Sequence, residues 1–318
     1  MPDLLDQIAA GETRAIARAL TLAENEDPAL LALLDKRHGS LPQPWRIGVT
    51  GPPGAGKSTL TSALIGEFRK RLDAKVGVVA VDPTSPFSGG ALLGDRLRMS
   101  GHVSDDRVFV RSMASRGRFG GLAAGCEDAC DLLALAGFDP LIVETVGVGQ
   151  SEVDIAGLAD TTLVVLTPAA GDSVQALKAG IMEVADIVVV NKADRPGADR
   201  LVEDVREALE LRPHPPEGEA FRLPPILKTV ASEGLGLSEL FAALEEHRSW
   251  LAGDGRAEAA RKRRLEMRLD ELAANALQRT LKRDGKARES FKRLREEVLS
   301  GSTAPRKAVA DWLAGLGL

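Results

Sequence analysis

The sequence predicts an α/β fold: a mostly parallel, doubly wound sheet covered by helices on both faces, with helical extensions at both ends. Three observations carry this. From about residue 45 to 250, short apolar runs of strand length alternate with longer stretches of helical spacing. The first of those runs enters a helix through a glycine-rich loop, the βα unit from which such sheets are wound. Outside this region the apolar residues recur only with helical spacing. The expected organisation is therefore an N-terminal helical segment (1–44), a central α/β domain (45–250) and a C-terminal helical segment (251–318).

The elements follow in order. Leu4, Leu5, Ile8, Ile16, Leu20 and Leu22 form an apolar stripe that ends at Leu41-Pro42-Gln43-Pro44. Strands are predicted over 46–50, 75–82, 107–111, 140–144, 161–167, 186–191 and 225–230. Their near-continuous apolar character suits strands buried on both faces. The proline-rich stretch from Arg212 to Gly218 reads as a surface loop. After Gly253-Asp254-Gly255 a long helix rich in Arg, Lys, Glu and Ala is expected over about 256–284, and at least one more after Gly285. Leu265, Leu269, Leu272 and Ala276, with the stem of Arg279, trace a stripe on it. Such an appendage has little core of its own, which favours packing against a second subunit. Its basic run Arg261-Lys262-Arg263-Arg264 reads as a solvated helix face, or as a surface for an anionic partner.

At 318 residues, 44% hydrophobic and 27% charged, the chain has the composition of a soluble globular protein. A net charge of −5 argues against a generic nucleic-acid binder, and no apolar run reaches membrane-spanning length. The acidic N-terminus lacks the layout of a targeting peptide, so the cytoplasm is the expected compartment. Cys126 and Cys130, one helical turn apart, read as small buried residues, with a metal or redox pair as the alternative. His38, His102, His214 and His247 show no ligand spacing.

The chemistry is concentrated in a few segments. Gly51-Pro52-Pro53-Gly54-Ala55-Gly56-Lys57-Ser58 fills every fixed position of G-x-x-x-x-G-K-[ST], between a strand and the helix that Thr59 continues. Backbone N–H groups of such a loop and the helix N-terminus face the α- and β-phosphates of a nucleotide. Lys57 then reaches the β- and γ-phosphates, and the Ser58 hydroxyl ligates Mg²⁺. Asn191-Lys192-Ala193-Asp194 follows another buried strand. Alone, four residues could be a plain strand-to-helix turn; downstream of a phosphate loop they point to guanine. Asp194 can accept hydrogen bonds from guanine N1–H and the 2-amino group, donors that adenine lacks, and a site built for a hydrogen bond rejects the analogue without it. Lys192 lies along the base, and Asn191 ties the two loops together. The chain reads as a GTPase.

Three acids accompany these motifs. Asp82 ends a strand of the parallel sheet, pointing towards Mg²⁺ and the γ-phosphate or capping the next turn. Glu144, in Glu144-Thr145-Val146-Gly147, stands where many GTPases have the aspartate of D-x-x-G, with the Gly147 N–H on the γ-phosphate. Asp95 follows a glycine-rich stretch that would order around GTP, or it pairs with Arg98 along a helix. Where many GTPases place a glutamine to orient water, this chain has Val148, with Gln150 two residues on. Slow hydrolysis by the isolated protein, completed by a partner, is therefore expected. Arg116 and Arg118 are candidate charge stabilisers or interface residues.

Together, Gly51–Ser58, Val81–Ser85, Gly94–Arg96, Arg111–Gly117, Glu144–Glu152 and Asn191–Asp194 resemble the signature of the MeaB/ArgK family of G-proteins. The resemblance is strong over about residues 1–250 and looser beyond. It implies a GTP/GDP- and Mg²⁺-dependent chaperone of an adenosylcobalamin-dependent acyl-CoA mutase, chiefly methylmalonyl-CoA mutase, with subunits joined as a homodimer through C-terminal helices. It also implies a further switch at Gly171–Gly180 that senses the partner, with Lys178 its signalling residue; an ordinary exposed helix lysine is the alternative. Ser58, Asp82, Asp95 and Glu144 would surround the metal. Thr229-Val230-Ala231-Ser232 replaces the usual Ser-Ala-Lys guanine loop, which leaves the contacts of Val230 and Ala231 open. GTP-driven metal delivery and a kinase-like activity are the alternatives within this nucleotide-binding class.

Overall fold

The computed structural model describes residues 4–82, 102, 105–114, 123–145, 155–168, 181–212, 222–283 and 285–315. Its seven strands are β1 (Arg46–Thr50), β2 (Val76–Asp82), β3 (Val108–Ala114), β4 (Leu141–Thr145), β5 (Thr161–Leu166), β6 (Ile187–Asn191) and β7 (Ile226–Thr229). They form one sheet in the order β3-β2-β4-β1-β5-β6-β7, and every neighbouring pair is parallel. The predicted fold class is the observed one. Strand β3 runs past its predicted end to Ala114, because its pairing with β2 continues from Val76↔Val108 to Asp82↔Ala114.

Ten helices are described: α1 (Leu4–Ala9), α2 (Thr13–Glu24), α3 (Pro28–Arg37), α4 (Lys57–Leu72), α5 (Ala123–Leu135), α6 (Ala198–Glu210), α7 (Leu237–Leu251), α8 (Arg256–Arg283), α9 (Gly285–Leu299) and α10 (Pro305–Gly315). Local chemistry sets several boundaries. Asp27 caps α3 by accepting from the N–H groups of Ala29 and Leu30 at 3.0 and 3.1 Å, and Pro28 fits the first helical turn, where no N–H is needed.

Two layers cover the sheet. On one face Leu60, Leu64 and Phe68 of α4 and Leu240 and Leu244 of α7 pack over Ile47, Val78 and Leu163. On the other, α5 lies against Val79 and Val143, and the N-terminal helices pack in the same cluster through Leu5, Ile8, Ile16 and Leu20. The predicted N-terminal stripe is thus a core face. Cys126 and Cys130 are free thiols buried on α5 in this cluster.

At the edge where the strands begin, Trp45 donates through Nε1 to the Thr161 hydroxyl at 2.9 Å. That hydroxyl also hydrogen-bonds His247 Nδ1, at 2.9 Å, which fixes α7 under the sheet. The chain divides into two compact units, Met1–Arg268 and Leu269–Leu318, with the division inside α8. In the second unit the Phe291 and Trp312 rings meet at 4.9 Å, and Trp312 Nε1 donates to Ser290. Among the described residues no helix is long and apolar enough to cross a membrane.

The basic run on α8 departs from its expected solvated face. Lys262 and Arg263 are exposed, but Arg264 is buried and paired with Asp160. Burial of a guanidinium is tolerated there because a carboxylate meets it.

Candidate functional site

The site lies at the other edge, where the strands end. Doubly wound sheets open a crevice outside the carboxyl ends of their strands, beside the strand where winding reverses direction. Here that strand is β1, flanked by β4 and β5.

The phosphate loop leaves β1 at Gly51. This residue has φ +137°, and a Cβ there would lie 2.1 Å from the Val165 carbonyl oxygen of β5, so only glycine lets the loop pass. Gly56, at φ +90°, likewise leaves room for Asn191, whose Nδ2 would sit 2.4 Å from an added Cβ. Replacing Gly51 by alanine therefore forces the loop off β5. Gly51→Ala is expected to lower guanine-nucleotide affinity by about 100-fold, since a small displacement of positioning groups has that scale; a fluorescent GDP titration measures it. Pro53 and Gly54 are exposed, while Pro52 and Ala55 are buried.

Lys57 opens α4 and is buried, its Nζ donating to the carbonyls of Gly51 at 2.6 Å and Pro52 at 3.1 Å. Next to it the Ser58 hydroxyl donates to Glu144 Oε1 at 2.5 Å, and Glu144 is buried at the end of β4. Thr59 is exposed on the helix. The Thr145 and Thr50 hydroxyls join β4 to β1 at 3.2 Å. A serine hydroxyl and a carboxylate converging at a phosphate loop are hard oxygen donors, the set that Mg²⁺ takes alongside phosphate oxygens. The residues present fit that ion.

The second motif is tied to the first by one side chain. Asn191 donates through Nδ2 to the Ala55 carbonyl at 2.9 Å. Its Oδ1 accepts from the Ala231 N–H and the Thr229 hydroxyl, both at 3.1 Å. Lys192 donates to the Gly54 carbonyl at 2.7 Å, and the Ala193 N–H bonds the Thr229 carbonyl. Asp194 is exposed beside them, and Val230 and Ala231 are buried. Phosphate loop, N-K-x-D loop and the 229–231 turn thus form one hydrogen-bonded rim. Sequence reading placed Thr229 and Thr145 in motif segments but gave no role to their hydroxyls or to that of Thr50. Their only signal was a hydroxyl residue at the carboxyl end of a buried strand.

Asp82 ends β2, where Val81 pairs with Thr145, although its side chain lies outside what is described. Asp95, Arg116, Arg118, Gly147, Val148, Gln150 and Lys178 lie outside the described residues.

A parallel sheet whose first strand opens into a phosphate loop and whose sixth ends in N-K-x-D has the architecture of a P-loop GTPase. A family profile described as methylmalonyl Co-A mutase-associated GTPase MeaB matches residues 16–286, and the chain belongs to that family. It is 42% identical to a protein described as a GTPase from Pyrococcus abyssi, over 98% of this chain and 97% of that protein. Identity to the GTPase ArgK of Escherichia coli is 37%, covering 79% of this chain and 77% of that protein. With the mouse protein described as methylmalonic aciduria type A homolog, mitochondrial, it is 32%, over 95% of this chain and 76% of that protein. A crystal structure described as LAO/AO transport system kinase superposes with a TM-score of 0.72 at 28% identity, covering 99% of this chain and 97% of that one.

Proposed function

We propose that this protein binds Mg²⁺-GTP, hydrolyses it slowly on its own, and acts as a chaperone for an adenosylcobalamin-dependent acyl-CoA mutase, methylmalonyl-CoA mutase being the first candidate. The observation that carries the nucleotide reading is the Asn191 side chain, which locks the guanine loop to the phosphate loop through Ala55. The mutase reading rests on the family's description and on the mouse relative.

The proposed chemistry asks little of covalent catalysis. The loop amides and Lys57 position the triphosphate and offset charge developing on the transferred phosphoryl group. Mg²⁺ supplies Lewis-acid neutralisation of that charge and would be held by Ser58, Asp82, Asp95 and Glu144, directly or through water. Gly147 would sense the γ-phosphate. Arg116, Arg118, Gln150 and Lys178 are assigned to the partner-dependent completion of the site, which accounts for a slow basal rate. Exposed apolar residues on α8, Leu269 and Leu272, are side chains that a second copy would cover in a homodimer. The cytoplasm is the proposed compartment.

GTP hydrolysis by the purified protein, alone and with the mutase, tests the whole reading. Stimulation by the mutase, with ATP inert, supports it; competent GTP binding with a rate indifferent to the mutase removes the client. Asp194→Asn tests base recognition separately. The amide accepts from N1–H but meets the guanine 2-amino group with a second donor, so GDP affinity should fall by about 100-fold. Xanthosine diphosphate, with a carbonyl at that position, should be bound better than GDP by this variant in the same titration.

A further inference from the structure

The first unit contains a buried ionic cluster that the nucleotide site does not use. It sits at the edge where the strands begin, beside a cavity lined in part by His38, Gln43 and Arg261. Arg46, the first residue of β1, donates to Glu127 at 2.6 Å and Asp131 at 2.9 Å, both on α5. Arg268 of α8 reaches the same helix, meeting Asp128 at 2.6 Å, Asp131 at 3.1 Å and Glu127 at 3.6 Å. Arg264, one turn earlier, pairs with Asp160, whose second oxygen accepts from the Arg46 N–H at 2.9 Å. Four elements distant in sequence therefore meet in one joint.

The cluster holds four carboxylates against three guanidiniums; with Arg264 matched to Asp160, the three acids of α5 face only Arg46 and Arg268. Like charges crowded out of water cannot all stay ionised, so one carboxylate is the natural seat of a proton. Asp128 fills that place. Burial pushes its carboxyl up to about 7, against the pull of Arg268, with Asp131, Glu127 and Asp35 of α3 adding to the rise. Near neutral pH, Arg268 thus faces either an ionised or a neutral partner.

The joint grips the elements that carry the site. Strand β1 spans only about 13 Å from Arg46 to Thr50, where the phosphate loop begins. Helix α5 packs in the core with Val79, Val81 and Val143, on the strands that carry Asp82 and Glu144 at or next to their carboxyl ends. We propose that Arg268 and Asp128 are positioning residues for GTP turnover: by clamping α5 and the start of β1, they set how Glu144 stands against the phosphate loop. This rests on the GTPase reading above.

Asp128→Asn tests it, because the variant keeps the shape and removes the charge. If ionised Asp128 tightens the clamp, wild-type and variant kcat should agree at pH 6, and wild type should be about three-fold faster at pH 8, with KM for GTP unchanged. A merely structural role moves the opposite way. A carboxyl whose pKa is raised on folding binds its proton more tightly in the folded state, so wild-type stability declines as pH rises from about 4 to about 7. The asparagine variant lacks that decline, so its Tm should gain on wild type between pH 5 and 8. Slower turnover in the more stable protein is the expected combination. Arg268→Gln should lower kcat at pH 8 by the same factor, alone or combined with Asp128→Asn, since the two act as one unit. A kcat ratio that is constant from pH 6 to 8, or activity that follows Tm, overturns the positioning role. Wild-type protein that hydrolyses no GTP sinks the functional reading with it.

Discussion

Lys57→Ala is expected to lower GTP hydrolysis by about 100- to 1000-fold, the scale on which removing one preorganised charge-stabilising donor acts. The side chain is buried, and its ammonium is held over the loop by the Gly51 and Pro52 carbonyls. Those two carbonyls orient the charge without neutralising it, so it stays available to a phosphate in the same loop. Its removal deletes no core contact of the apolar clusters, and Tm should change little. Lys57→Arg should not rescue the rate. A planar guanidinium is wider than an ammonium and cannot occupy the same point between two carbonyls inside a turn of five residues. Single-turnover hydrolysis with enzyme in excess separates this loss from weakened binding. A rate within a few-fold of wild type would mean that the charge on the phosphoryl group is met by other side chains.

How much of this was legible in the sequence depended on how local the physics is. The strands were legible because Ile187–Val190 and their counterparts are apolar on both faces, and a parallel sheet buries both. The end of β3 was not. Ser112, Met113 and Ala114 fell outside the predicted strand, after the charged Arg111, yet β3 is an edge strand, and Arg111 turns to Glu24 of α2 at 2.7 Å while the backbone keeps its pairing. The phosphate loop and N-K-x-D loop were legible for a similar reason: each is a short segment whose function resides in its own backbone and side chains. The role of the Thr229 hydroxyl was hidden because its partner, Asn191, lies on another strand. Arg264 shows the limit most clearly. It stands in a run of four basic residues, and nothing within α8 distinguishes it from its solvated neighbours. Asp160, which draws it inward, lies just before β5, more than a hundred residues earlier in the chain.

The same remoteness makes Arg46 the most consequential residue for stability. Burial opposes its charge, but Glu127 and Asp131 hold its guanidinium above the ordinary value, so it remains a cation in the folded state. Arg46→Ala should destabilise the protein by about 3–5 kcal/mol, the range for breaking a buried ion pair from one side. Most of that loss comes from what remains. Glu127 and Asp131 would keep their burial with only Arg268 between them, and an unpaired buried carboxylate has no means of recovering its hydration. The prediction has an internal control. Arg46→Met combined with Glu127→Leu and Asp131→Leu removes the charges together and fills their volume, and such replacements are often neutral or stabilising. In urea titrations the single variant should therefore be less stable than the triple variant, although the triple variant carries more changes. If the two were equally destabilised, the loss would belong to packing at the start of β1, and the carboxylates would carry no strain. The nucleotide loop at the other end of β1 gives a second readout: the triple variant restores stability without restoring the clamp, so its GTP turnover should stay low while its folding recovers.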